Sequence, residues 1–93
     1  MSLYNVGIMR YAITRERVPS DEVAFHIRKR ASSRLGALEK ALPQIVKEVL
    51  PLVDPSIKYV SVHVGRVGDV SGSASRLVPI QIVRETGEIR GRG

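Results

Sequence analysis

Residues 20–50, SDEVAFHIRKRASSRLGALEKALPQIVKEVL, decide how this chain folds, and they admit two readings. In the first, Ser20 caps a helix whose first turn holds Asp21 and Glu22, acids that complement free amides and the helix dipole. Ile27, Ala31, Leu35, Leu38, Leu42, Ile45 and Val49 then recur at steps of three and four along one helical face. Gly36 and Pro43 interrupt that face and predict a break or a bend. In the second reading Val23, Phe25 and Ile27 alternate as a strand, and the helix starts near Ser32. Pro51 and Pro55 close the helix either way. The two readings place the cations differently. A helix puts Arg30 and Arg34 on one face with Lys29 beside them, whereas a strand groups Arg28 with Arg30 and turns Lys29 away.

Outside this segment the pattern is mostly extended. Residues 3–14 read as a strand in which Tyr4, Val6 and Ile8 alternate with Asn5 and Gly7. Residues 57–67 alternate more cleanly, with Val60, Val62 and Val64 on one face and Tyr59, Ser61 and His63 on the other. Residues 76–85 form a further strand, joined to the previous one through the Gly/Ser-rich stretch 68–75 as a hairpin. Pro79 within it suits an edge or a bulge. The expected architecture is a single α+β domain over 1–87, followed by a disordered basic tail, 88–93. It is a two-layer sandwich of an antiparallel three- or four-stranded sheet and one long or broken helix. The element order is β-α-β-β on the first reading and β-β-α-β-β on the second.

Composition narrows the class. Ninety-three residues with 43% hydrophobic content make one small domain. The absence of cysteine excludes disulfides, thiolate metal sites and a cysteine nucleophile. No apolar run suits a membrane span or a signal core, so a cytoplasmic protein without membrane partners is expected. The net charge is +6, and residues 10–34 carry seven cations against three acids, so most of the excess lies there. A localised basic field of this kind favours a polyanionic partner, because bound phosphates release counterions. Eleven arginines against four lysines suit bidentate phosphate contact. The same bias, with one Asn and two Gln, also fits a thermophilic source.

The candidate binding residues follow from the charge. Arg28, Lys29, Arg30 and Arg34 form the core of the set, with Arg15 and Arg17 ahead of them. The competing reading is a solvated helix face, although no acid lies between Glu22 and Glu39. Arg66 and Arg76 flank the Gly/Ser loop on opposite hairpin strands. Tyr59 and His63 share a strand face and are placed to stack on bases if that face is open; if a helix covers it, they are core. No catalytic, metal or cofactor site is expected. His26 and His63 are the only histidines, Asp54 reads as a turn residue, and Ser71, Ser73 and Ser75 have no base at motif spacing.

The run Ile27-Arg28-Lys29-Arg30-Ala31 leads into an amphipathic helix, a valine-rich strand, a Gly/Ser hairpin and a final Ile/Val strand. Over residues 27–86 this order resembles the archaeal Alba chromatin proteins. The resemblance implies a small basic homodimer that binds DNA or RNA along its hairpin arms and body. It places Arg28, Lys29 and Arg30 in the stretch leading into the helix, and Arg66 and Arg76 on the arms. That family has a strand, a lysine-bearing loop and a whole helix before this segment; here only Arg15 to Glu22 separates the first strand from it, and the family's main binding lysines have no counterpart. The expected function is therefore sequence-tolerant nucleic-acid binding without enzymatic activity. The alternative is a structural or interaction subunit of a ribonucleoprotein or a symmetric homo-oligomer.

Overall fold

Ser33 decides between the two readings. Its hydroxyl accepts a hydrogen bond from the Gly36 amide at 3.0 Å, and helix α1 (Arg34–Glu48) runs from that cap. Such a cap stabilises a helix by about 1 kcal/mol. Gly36 is thus no break. It is where the cap lands, and a Cβ there would crowd the Ser33 Oγ at 3.2 Å. The nine residues Val23–Ala31, expected first as helix, are a strand.

The computed structural model describes residues 1–15, 22–68 and 78–90. Among these the order is β1 (Ser2–Met9), a 3-10 turn (Arg10–Ala12), β2 (Val23–Ala31), α1, a second 3-10 turn (Leu50–Leu52), β3 (Tyr59–Arg66), β4 (Val78–Val83) and β5 (Ile89–Arg90). The strands form one antiparallel sheet in the order β2-β1-β3-β4-β5, with five members where three or four were expected. The α+β class holds, and α1 is its helical layer. β1 ends at Met9, short of residue 14, because the chain turns at Arg10. There the Arg10 amide donates to the Glu22 carbonyl (2.9 Å) and its guanidinium meets the Glu22 carboxylate (3.0 Å).

The core is β-branched on the sheet side, where such residues pack well on a pleated surface. Val6, Ile8, Val60, Val62, Val64, Ile80 and Ile82 are fully buried, facing Ala37, Leu38, Ala41 and Ile45 of α1. Leu38, Leu42, Ile45 and Val49 of the expected stripe do face the core, but the contact line is rotated at its start. Leu35 is 36% exposed, and two alanines occupy the contact line instead, letting the helix lie close to the sheet. Pro43 lies inside the helix on its exposed side. Glu39 and Pro43 are both exposed, so water can take the place of the missing residue-43 amide at the Glu39 carbonyl and the helix runs through.

Pro79 is tolerated for the expected reason. β5 pairs only with Gln81 and Ile82, so β4 is a sheet edge at Pro79. β5 itself lies within the segment expected as a disordered tail. Gly87, with φ +71°, turns the chain back, and hydrogen bonds from Gly87 N to Val83 O and from Val83 N to Glu88 O (both 2.8 Å) hold it. Residues 91–93 lie outside the described residues, as does the Gly/Ser segment from 69 to 77. No helix among the described residues is long and apolar enough to cross a membrane.

Candidate nucleic-acid interface

The two faces of the sheet differ completely. α1 covers one. Among the described residues no element covers the other, and an antiparallel sheet can face water on one side without penalty. None of the five strands contains an acidic residue, while they carry Arg28, Lys29, Arg30, Arg66 and Arg90. The described acids lie in α1 and the connections, where they are mixed with cations. Charge is segregated by layer.

Strand register assigns each cation. Asn5 pairs with Arg28 and Leu3 with Arg30, which places both arginines on the open face. Lys29 pairs with Tyr4 and belongs to the helix-covered face, so the strand geometry separates it from its neighbours. Arg34 is half-buried in the first turn of α1 and shares no helical face with Arg30. Arg66 closes β3 opposite Tyr4 and is exposed. Arg15 is exposed in the bend after the first 3-10 turn, close enough to Asp54 to favour its charged form. Arg17 and Arg76 lie outside the described residues. The basic segment 10–34 therefore does not form one stripe. Part of it is neutralised at Glu22, part lies with the helix layer, and Arg28 and Arg30 remain on the open face.

Tyr59 and His63 are on that face, as an open sheet requires for stacking. Tyr59 is 43% exposed and His63 half-buried. Arg90 joins them from β5, with its guanidinium 5.9 Å from the Tyr59 ring centroid and its Nη1 3.5 Å from the hydroxyl. That distance is at the outer limit of a cation–π contact. Asp54 is a turn residue, as read from sequence. The Ser56 hydroxyl and then the Ser56 amide hold its carboxyl below the ordinary range, with Arg15 and Arg84 adding to this.

Four members of the face were not singled out from sequence: Asn5, Gly7, His26 and Arg90. Asn5 Oδ1 lies 3.1 Å from Arg28 Nε and 3.2 Å from His26 Nε2. The arginine nitrogen can only donate, so the Asn5 atom between them is the oxygen. His26 must then donate through Nε2, leaving Nδ1 as its other ring nitrogen and the Asn5 amide NH2 free to donate elsewhere. Gly7 pairs with His26 on one side and His63 on the other, so the two histidines flank a position without a side chain. The result is a trough of about 340 Å³ lined by Asn5, Gly7, Met9, Val23, His26, His63, Gly65 and Arg66. The signal for it was the Asn5/Gly7 alternation in β1, which marks a face with little bulk. Among the described residues no three His, Asp or Glu side chains converge as a metal site would require. Comparison with protein-family models, curated proteins and solved structures found no match for this chain, so its function is read from the chemistry of this open face.

Proposed function

We propose that this chain is a cytoplasmic nucleic-acid-binding protein rather than an enzyme, sequence-tolerant, and that the open sheet face is its contact surface. The segregation of charge carries the reading. Arg28, Arg30 and Arg90 stand on a face whose strands carry no acid among the described residues, and phosphates are the partners that such a field favours. Guanidinium groups bind phosphate bidentately, and the exposed ring of Tyr59 and the half-buried ring of His63 offer sequence-independent stacking between them. The resemblance of residues 27–86 to the Alba proteins supports the same ligand class. A retardation assay across a salt series tests it. Affinity should fall with a log–log slope of about −2 to −3, the release expected for three phosphate contacts. Absence of binding, or affinity indifferent to salt, would remove the proposal.

A second reading, a symmetric homo-oligomer, is favoured by β2. Its nine residues form the outer edge of the sheet without Gly or Pro, open to pairing with a second copy. The consecutive cations Arg28, Lys29 and Arg30 oppose such pairing through like-charge repulsion. A dimer built there should therefore be more populated at high salt, which light scattering after size exclusion measures. A monomer at every salt concentration would exclude it.

A further inference from the structure

We infer that the open face holds nucleic acid as a single strand, with one unpaired base seated in the Gly7 trough; this rests on the nucleic-acid reading above. The argument begins with why residue 7 is glycine. Its backbone does not require one, since its φ is not positive. Nor does packing require one, because an added Cβ would meet Phe25 O at 3.7 Å and His26 Cδ2 at 3.9 Å, ordinary contacts. A glycine inside a strand weakens pairing, and it marks places where another group approaches the backbone. β1 is paired on both sides and would gain from a β-branched residue here. What glycine supplies is space.

The shape and chemistry of that space fit a nucleobase. His26 and His63, directly opposite Gly7 on the two neighbouring strands, form its walls. Paired Cα atoms lie about 5 Å apart, so the two histidine backbones stand about 10 Å apart, and the His26 ring leans over β1 to Asn5, offering its face to a flat ring seated over Gly7. One end of the trough is apolar, Met9 and Val23; the other, beside Gly65, offers the Asn5 amide as a donor. A phosphate would use the donor end and leave the apolar end unmatched. A base has apolar faces and a polar edge, and matches both.

A duplex cannot deliver such a group, since its bases are stacked and paired, whereas a single strand turns them out. Arg28 and Arg30 lie on β2 at one margin of the sheet and Arg90 on β5 at the other. Four inter-strand spacings, about 19 Å in all, separate these margins. A single strand crossing the sheet meets phosphate contacts at both ends, with the trough and Tyr59 between.

The test uses fluorescence anisotropy at one salt concentration with three probes: an oligonucleotide of about twelve nucleotides, the same strand with abasic internal positions, and its duplex. The native strand should bind about 10-fold tighter than the abasic strand, and tighter than the duplex. Gly7→Val should weaken the native strand toward abasic affinity, stopping short of it by the stacking on Tyr59, while leaving abasic affinity unchanged and the urea midpoint equal or higher. Equal binding of native and abasic strands by the unaltered protein overturns the base seat and leaves the phosphate reading standing. A folded Gly7→Val protein with full native-strand affinity overturns it too, as does a duplex that binds as tightly as the single strand. Should Gly7→Val not fold, the abasic comparison on the unaltered protein decides alone. No binding of any probe removes the nucleic-acid reading itself, and the base seat with it.

Discussion

Arg28→Glu/Arg30→Glu is expected to abolish nucleic-acid retardation, whereas Lys29→Glu, the residue between them, should change affinity less than about threefold. The register separates the three. Arg28 and Arg30 project from the open face beside Asn5 and Leu3, and Lys29 lies beside Tyr4 on the side of the helix. A charge-assisted hydrogen bond contributes about 1.5–3 kcal/mol, so loss of two such contacts weakens binding by on the order of 100-fold or more. Reversal adds repulsion to that loss. The control is Lys47→Glu on α1, compared with Arg28→Glu alone, which changes net charge by the same amount on the opposite layer. Equal weakening by these two single variants would mean that binding follows total charge, and the open face would lose its claim.

Leu38→Ala should destabilise the fold by about 2–5 kcal/mol, and Leu35→Ala by no more than about 0.5. The spacing of apolar residues sets both leucines on one stripe. In the structure Leu38 is fully buried against the sheet while Leu35 is 36% exposed. Truncating Leu38 removes transfer energy and leaves a cavity between two rigid layers that relax only partly. A domain of this size has roughly 5–15 kcal/mol in total, so the variant is expected to be marginal. Urea unfolding followed by circular dichroism, with an unchanged m-value, measures the difference. Similar midpoints for the two variants would contradict the helix orientation described above.

The class of fold was legible because its strongest signals are strictly periodic. Val60, Val62 and Val64 alternate without exception, and Pro79 marks an edge in sequence as it does in the sheet. The segment 23–31 was not, because Ile27 and Ala31 satisfy a helical step and a strand alternation equally well. The Ser20 cap signal also favoured an early helix start, whereas the cap of α1 is Ser33. Burial of Phe25 and Ile27 beside Ile8 and Val6 resolves the conflict, and that is a tertiary term absent from local pattern. The candidate site was half visible. Arg28, Arg30, Tyr59 and His63 were named from charge and alternation. Gly7, Asn5 and His26 come together only through the pairing of β1 with β2, His63 joins them from β3, and Arg90 is positioned by the Gly87 turn rather than by its own neighbours.

The position of β1 has a further effect, on the order in which the chain folds. β1 pairs locally with β2 but also with β3, joining Tyr4 to Arg66 across most of the sequence. A nascent chain can form the β1–β2 pair early, yet the faces of Val6 and Ile8 stay bare until α1 and β3 arrive. Closure of that long loop is entropically costly, which places refolding on a timescale of roughly milliseconds to seconds. During that interval the exposed strand pair is the segment most open to aggregation.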